Sequence, residues 1–429
     1  MRIPIADVTP ETTEAEIIGW IHEVRDLGGL AFYIIRDRTG FLQVTIVKKK
    51  APERVVEATK ETSRESVVRV FGTVKATEKA PGGRELIPHT FEIISKAESP
   101  LPLDVTEKVP AEIDTRLDNR FLDSRRPRIN AIFQIRSNIT QSINDFLFKE
   151  GFVNITTPKV VATATEGGTE LFPIAYFEKE AFLNQSPQLY KQMMMAAGFE
   201  KVFEIAPIFR AEEHNTTRHL NEATSIDVEI SFADHNDAMD LVERIMIQAY
   251  ESVSNNCENA LNALNVDLKV PKNRFPRITY SEAIDIAALG IEEDISYGDD
   301  LSTAAERAIG DEMGEHYFIT DWPTSIKPYY AMPFEDHPEI CKAFDLMHPR
   351  MELSSGAQRI HQYDLLVEQI KEKGLSPESF EFYLKPFRYG MPPHAGWGLG
   401  MERLIMTMLN LPNIREAVLF PRDRHRLVP

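Results

Sequence analysis

Between residues 14 and 99, apolar and polar positions alternate in short runs, the period of strands with one face buried. Ile17–Val24, Leu30–Arg36, Phe41–Val47, Val67–Val74 and Glu85–Ile94 are rich in β-branched and aromatic residues, and Gly28-Gly29, Asp37–Gly40 and Pro81–Gly83 supply turns between them. Pro52–Lys60, between the third and fourth runs, has helical composition. The pattern predicts a small closed barrel with one helix after its third strand.

Ser99–Asp104 carries two prolines that stiffen the exit from the barrel. The period then changes. From about Ile129, residues Ile132, Ile135, Ile139, Ile143, Phe146 and Leu147 recur at helical spacing, predicting an amphipathic helix that stops before Gly151. A mixed α/β region without internal repeats follows, in which residues 236–330 read as helical segments joined by Pro-containing connections. The expected organisation is a barrel domain at 1–103, a linker at 104–130 and a larger domain at 131–429 that contains the 236–330 stretch as a helical insertion.

Composition narrows the class. With 43% hydrophobic and 27% charged residues, the 429-residue chain is neither collagen-like nor intrinsically disordered. Two cysteines, Cys257 and Cys341, exclude a disulfide scaffold and a cysteine-based zinc site. No run approaches ~18 apolar residues and Met1–Asp7 lacks the apolar stretch of a signal peptide, so a soluble, cytoplasmic protein is expected. The net charge of −18 argues against a nucleic-acid partner. Arg116, Arg120, Arg125, Arg126 and Arg128 nevertheless cluster within a short span, either as a salt-bridged surface or as a phosphate-binding stripe.

An OB-type barrel of this kind binds single strands by stacking bases on aromatic side chains and guiding the backbone with cations; Phe32, Arg25 and Gln43 could serve. In the second region, Glu166-Gly167-Gly168 suggests a mobile loop carrying a carboxylate, although alone it is a turn. Lys191 precedes a methionine-rich helix, where a snorkelling surface lysine is the plainer reading. An apolar strand ends at Arg210, and Glu212, Arg218 and His219 lie in the polar connection to a second strand through Asp227 and Glu229, a pattern that a plain charged hairpin would also give. Arg210 is placed to neutralise a phosphate that gains charge. Asp345 and Glu352 are oxygen ligands of the kind Mg²⁺ accepts beside substrate phosphates, a spacing that also arises by chance in an acidic chain. Gly396, Gly398 and Gly400 lead into an apolar helix from whose first turn Arg403 projects, with neither the P-loop nor the Rossmann spacing.

Phe209-Arg210-Ala211-Glu212 followed by Arg218-His219-Leu220, and Gly398-Leu399-Gly400-Met401-Glu402-Arg403, resemble motifs 2 and 3 of class II aminoacyl-tRNA synthetases. Gly151-Phe152 through Pro158 resembles motif 1, which lies at the dimer interface in that class. The order of barrel and motifs resembles the aspartate/asparagine/lysine subgroup. Within it, Ser186–Gln192, Ser355–Arg359 and Leu419–Arg424 are similar to aspartyl-tRNA synthetases of the archaeal and eukaryotic type, and the resemblance covers essentially the whole chain.

The resemblance implies a multidomain protein: an N-terminal OB-fold anticodon-binding barrel, then an α+β catalytic domain built on an antiparallel sheet flanked by helices. It implies ATP-dependent attachment of L-aspartate to tRNA through an aspartyl-adenylate, with ATP as substrate, Mg²⁺ as cofactor and a homodimer. Lys191 and Arg359 would grip the side-chain carboxylate of aspartate, Gln188 and Ser355 would line its pocket, and Glu166 would close over the α-amino group. Two cations suit a carboxylate and would be left unpaired by a carboxamide. Arg210 and Arg403 would be the catalytic arginines. Glu212, Arg218, His219, Leu220, Glu352, Gly400, Met401 and Glu402 would join them around ATP, while Glu352, Ser355 and Asp345 would place Mg²⁺. Arg25, Phe32 and Gln43 match the positions that read the anticodon, and Arg25, Arg116 and Arg120 are expected on the tRNA-facing side.

The chain departs from relatives restricted to the aspartate tRNA, which have Trp at the position of His22 and Lys at that of Thr90. The departure implies relaxed anticodon reading, with both tRNA-Asp and tRNA-Asn charged. The alternatives are a strictly tRNA-Asp-specific enzyme, an asparaginyl-tRNA synthetase, an ammonia-dependent asparagine synthetase (which has no use for the barrel), and a non-catalytic paralogue that binds single strands, against which Arg210 and Arg403 both stand.

Overall fold

The alternating stretch becomes β1 (Glu14–Asp26), β2 (Leu30–Asp37), β3 (Gly40–Val47), β4 (Val67–Ala76) and β5 (Arg84–Ser95), with α1 (Glu53–Glu61) after the third strand. The strands close into a barrel in the order β1-β2-β3-β5-β4 around Ile17, Ile21, Ile35, Leu42, Val44, Val70 and Leu86. The structure is a computed structural model that describes residues 2–162, 170–213, 216–272, 274–291 and 294–429. It divides into two units, Met1–Arg126 and Pro127–Pro429. One irregularity of the barrel bears on function. The β1–β2 register slips between Ile21, opposite Ile35, and Glu23, opposite Ile34, so that His22 is the extra residue of a bulge.

The first unit also holds α2 (Ile113–Asp118) and α3 (Arg120–Asp123). Here the arginine-rich stretch folds inward. Arg120 is 1% exposed. Its Nη1 lies 2.6 Å from Asp123 Oδ2, and Arg116 and Arg126 reach Oδ1 of the same carboxylate at 3.1 and 3.3 Å. The expectation that Arg116 and Arg120 form a tRNA-facing surface is corrected: a buried carboxylate needs its counter-charges, and these arginines supply them.

The second unit opens with α4 (Pro127–Lys149), whose Ile132, Ile135, Ile139, Ile143 and Leu147 are all buried; the chain leaves it near Gly151, which has a φ of +84°. Then follow β6 (Val153–Asn154), a small sheet of β7 (Val160–Val161), β8 (Pro173–Tyr176) and β9 (Lys179–Leu183), and α5 (Gln188–Ala196). Next come β10 (Lys201–Phe209), β11 (Glu222–Ser231), α6 (His235–Asn256), α7 (Glu258–Leu264), β12 (Arg277–Thr279), α8 (Tyr280–Gly290), α9 (Thr303–Met313) and β13 (Tyr317–Pro323). The chain ends with β14 (Ile340–His348), β15 (Met351–Arg359), α10 (Tyr363–Glu372), α11 (Glu381–Leu384), β16 (His394–Gly400) and α12 (Met401–Met408).

The main sheet runs β12-β13-β14-β15-β16-β11-β10-β6, antiparallel except for the pairs β12–β13 and β10–β6 at its edges. One face, with Phe203, Ile226, Val228, Phe344, Trp397 and Leu399, packs with α4 and α6 into the principal core. The stretch expected to be a helical insertion therefore does more: it contributes β12 and β13 to the sheet, and α6 to the core beneath it. The opposite face holds the polar residues of the candidate site, because strand alternation sends every second residue of five neighbouring strands there.

Candidate active site

Strand pairing assembles the site. Asp345 of β14 lies opposite Ser355 of β15, Ser355 opposite Gly398 of β16, and Gly398 opposite Asp227 of β11. By the same registers, Ala343, Ala357, Gly396 and Glu229 form the next row. The glycines that lead into the apolar helix are themselves strand residues. They belong to a central strand and keep the floor low: a Cβ at Gly396 would overlap the Glu229 carboxylate and the Val228 carbonyl. Over this floor lies a cavity of about 350 Å³.

Arg359 lines the cavity, as do Gln188 and Ser355. Its Nε donates to Glu229 Oε1 at 3.0 Å, its Nη2 reaches Gln188 Oε1 at 3.4 Å, and its guanidinium lies 5.2 Å from the ring centre of Tyr330. The amide Nε2 of Gln188 is buried and has no partner among the described residues, leaving a donor for a ligand. Lys191 is placed differently from expectation. It is 2% exposed and does not line the cavity; Nζ is held by Asp227 Oδ1 at 3.0 Å and by the carbonyls of Trp397 and Val228 at 2.9 and 3.3 Å. Two buried cations without counter-charge would be prohibitively costly, and β11 supplies both anions. Burial would raise the Glu229 carboxyl, but Arg359 and Lys191 beside it hold it below the usual carboxylate range. His394 completes the layer as a neutral ring: burial pushes it down to about 4, and Gln192 lies 3.1 Å from its Nε2.

At the other end of the cavity, Arg210, Arg218, His219, Leu220, Glu352, Gly400 and Arg403 come together. Arg210 is exposed to the cavity and makes no ion pair among the described residues. Arg403 donates from Nη1 to the Glu352 carbonyl at 3.0 Å, and its Nη2 lies 3.4 Å from His219 Nε2. Burial and the charge of Arg403 lower the His219 pKa. Arg218 pairs with Glu306 of α9 at 3.5 Å. Glu306 was not singled out in the sequence, and no motif marks it. Burial, together with the neighbouring charge of Glu352, pushes it up to about 7.

Four expected members have other surroundings or other duties. Met401 is 1% exposed and belongs to the core, because α12 turns it under the sheet. Glu402 touches the cavity, but Arg136 at 2.9 Å and the Thr224 amide occupy its carboxylate, making it a brace. Glu212 lines a second hollow of about 530 Å³, beside Phe209 and Arg422. Asp345 does not line the cavity and is buried against Lys327 Nζ at 2.6 Å; burial raises its pKa and Lys327 opposes the rise. Lys327, unmarked in the sequence, does line the cavity. Glu166 lies outside the described residues. No group of three His, Cys, Asp or Glu side chains converges on a metal position among the described residues. Asp227 and Glu229 could have been found from the sequence, since two acids alternating with Ile226, Val228 and Ile230 point to one polar face.

On the barrel, Arg25 lies opposite Phe32, Phe32 opposite Thr45, and Gln43 donates to the Thr45 hydroxyl at 3.2 Å, so Arg25, Phe32 and Gln43 share one outer face. His22 and Thr90 are not brought together. Thr90 lies opposite Phe71, and Phe71 opposite Glu16, well down β1 from His22.

The description "tRNA synthetases class II (D, K and N)" fits residues 112–424, and "OB-fold nucleic acid binding domain" fits residues 15–94. The chain is 73% identical over 429 residues to the Aspartate--tRNA(Asp/Asn) ligase of Methanoculleus marisnigri, covering all of both chains. To the ligase of the same name from Archaeoglobus fulgidus it is 65% identical over 431 residues, again covering all of both. Among solved structures, asparaginyl-tRNA synthetase from Pyrococcus horikoshii complexed with asparaginyl-adenylate aligns with a TM-score of 0.94 at 34% identity, covering 100% of both chains. Aspartyl tRNA synthetase from Entamoeba histolytica aligns at 0.89 and 32%, covering 100% of this chain and 93% of that one.

Proposed function

The chain belongs to the class II tRNA synthetases of the D, K and N group, and on that premise we propose that it is an aspartate–tRNA ligase that charges both tRNA-Asp and tRNA-Asn. The observation that carries the reading in the cavity is Arg359, a guanidinium lining the cavity beside the amide nitrogen of Gln188, which has no partner among the described residues. Together they offer a planar fork and a further donor to a side-chain carboxylate. Asp227, on the same floor, is the acceptor for an α-ammonium group, and Lys191 acts through Asp227 and Glu229 rather than on the substrate.

The reaction then needs no enzyme nucleophile. An oxygen of the aspartate α-carboxylate attacks the α-phosphorus of ATP in line and pyrophosphate leaves. The terminal ribose hydroxyl of the tRNA next attacks the acyl carbon, and AMP departs with the mixed-anhydride oxygen. Arg210 neutralises the charge that builds on the α-phosphate, and Arg218 and Arg403 hold the outer phosphates. Glu352 with Ser355 would hold Mg²⁺, which supplies charge neutralisation along the polyphosphate; the repulsion of Glu306 by Glu352 fits a cation there. In the barrel, Arg25, Phe32 and Gln43 engage the anticodon, with His22 at the bulge beside them. We further infer a homodimer through α4 and β6, where Phe148 and Val153 are exposed, and a cytoplasmic location; among the described residues no helix is long and apolar enough to cross a membrane.

Aspartate- and asparagine-dependent ATP–pyrophosphate exchange, followed by charging of each purified tRNA, tests the proposal. Exchange with aspartate alone and acylation of both tRNAs is the expected result. Exchange with asparagine instead would favour the second reading, an asparaginyl-tRNA synthetase, which the balanced charge of the Lys191–Asp227 and Arg359–Glu229 pairs also permits.

A further inference from the structure

On the outer face of the barrel, Arg36 and His22 form one built unit. The bulge at Ile21/Glu23 lifts His22 out of the strand alternation. Its ring packs edge-on against Phe41, centroids 5.0 Å apart, and Arg36 Nη1 lies 2.9 Å from its Nδ1. A guanidinium can only donate, so Nδ1 must offer its lone pair and the ring proton must sit on Nε2. Nε2 has no partner among the described residues. Arg36 is not free to swing away. It is 7% exposed, held by Glu65 through Nη2–Oε2 at 2.9 Å and Nη1–Oε1 at 3.3 Å, and lies 5.9 Å from the centre of the Trp20 ring. Glu65 is fixed in turn: it is 3% exposed, bonded to Arg125 at 2.9 Å, and set at a φ of +67°.

We propose that Arg36 is a positioning residue that makes His22 a fixed, uncharged, donor-only group on the anticodon face, reading the one acceptor that cytosine and uracil share. This rests on the reading above that the barrel face binds the anticodon. The codons for aspartate and asparagine differ only in their first base, so the two anticodons differ only in their third, cytosine against uracil. The 4-position is a donor on one and an acceptor on the other, and N3 is likewise reversed; only the 2-carbonyl oxygen accepts from both. A donor that cannot become an acceptor therefore accepts either pyrimidine and gives up the discrimination that an edge-reading group would impose. The charged groups facing the imidazole are Arg36 on β2, Glu23 on β1, Glu65 before β4 and Asp104 after β5; burial and Arg36 prevail over the three acids and keep the ring neutral.

The test measures kcat/KM for each tRNA on the full chain, per active site counted from the adenylate burst. Arg36→Met should lower kcat/KM for both tRNAs about tenfold, the loss of one hydrogen bond. It should also make the tRNA-Asn to tRNA-Asp ratio vary between about pH 6 and 8, where the native ratio is flat, because the freed imidazole can then protonate or change tautomer. Arg36→Lys, which still donates and cannot accept, should restore the flat ratio. Nitrogen-15 spectra of the histidine-labelled protein, with the His22 signal assigned by its loss in His22→Gln, should show an unprotonated Nδ1 in the native chain and a titrating ring in Arg36→Met. A native His22 carrying its proton on Nδ1, or an Arg36→Met protein within about twofold of native on both tRNAs with a flat ratio, overturns the proposal. His22→Ala separates the two readings. If its loss affects neither tRNA, the anticodon-face reading is wrong; if it impairs both while Arg36→Met does not, only the lock is.

Discussion

Lys191 and Arg359 converge on one carboxylate: Arg359 Nε lies 3.0 Å from Oε1 of Glu229, and Lys191 Nζ lies 3.5 Å from Oε2. With Asp227 on the far side of Lys191, two cations and two anions alternate along the cavity floor. Of the two cations, Arg359 lines the substrate space and Lys191 does not. The two basic residues that look equivalent in sequence thus have different duties, and substitutions should separate them.

Lys191→Met should act first on stability. It leaves the Asp227 carboxylate, whose residue is 4% exposed, without its cation, at a cost of about 3–5 kcal/mol. Urea denaturation checks this; a loss below about 1 kcal/mol would mean that Lys191 is not the counter-charge its contacts indicate.

Arg359→Leu should act first on the substrate. Glu229 keeps Lys191 at 3.5 Å, so the fold retains part of its compensation. The fork for the side-chain carboxylate is lost outright. Aspartate-dependent exchange should fall about a thousandfold with no gain for asparagine, since the acceptor a carboxamide nitrogen would need is not created. Appearance of asparagine exchange in this variant would count against Arg359 as the selecting group.

Glu306 gives a pH dependence of definite sign. Its folded pKa is raised to about 7 by burial and by Glu352. The folded state therefore binds more protons than the unfolded one from the ordinary carboxylate range up to about pH 7. Stability falls as pH rises through that window, and the cost is fully present above it. Glu306→Gln removes the cost: it should stabilise the protein by about 3 kcal/mol at pH 8 and by under about 1 kcal/mol at pH 5. Urea midpoints at the two pH values measure the difference, and an equal shift at both would contradict the assignment.

How much of this was legible in the sequence depends on the range over which each feature is encoded. The barrel was readable because alternation is local: Ile17 through Val24 announces β1 without reference to any other strand. Arg210, Arg218, Arg359 and Arg403 were readable because each lies in one of three short segments that resemble the family. The role of Glu402 was not, since its partner Arg136 lies on α4, far away in the chain, and only folding makes the carboxylate a brace. Lys327 and Glu306 were invisible for the same reason: no local pattern marks either, until the connection before β14 brings Lys327 to the cavity wall and α9 brings Glu306 to Arg218. Arg120 misled in the opposite direction, because its attraction to Asp123 turns an apparent surface charge into a buried one.

Gly396 is where the floor is thinnest. Its strand position is extended, so alanine is excluded by space rather than by backbone angle: the added Cβ would meet the Glu229 carboxylate and the Val228 carbonyl, neither of which has room to retreat from Arg359 and Lys191. Gly396→Ala should cost about 1–3 kcal/mol and raise KM for aspartate, because the displaced Glu229 carries Arg359 with it. A protein with native stability and a native KM would show that the floor yields without moving Arg359.

On the barrel, the aromatic and the cation of the outer face should fail in different ways. Phe32 offers a ring on which a base can stack, and stacking is nearly indifferent to ions; Phe32→Ala should weaken tRNA binding by about 1–3 kcal/mol at every salt concentration. Arg25 pairs with Glu23 at 3.3 Å and is otherwise exposed, the arrangement of a cation that meets a phosphate and releases a counterion. Arg25→Ala should therefore reduce the slope of log K against log salt by about 1, with a loss that fades as salt rises. Filter binding of either tRNA across a salt series distinguishes the two. If both variants shifted the lines in parallel, Arg25 would be reading a base or bracing Glu23 rather than meeting the backbone, and the face would have to be reassigned residue by residue.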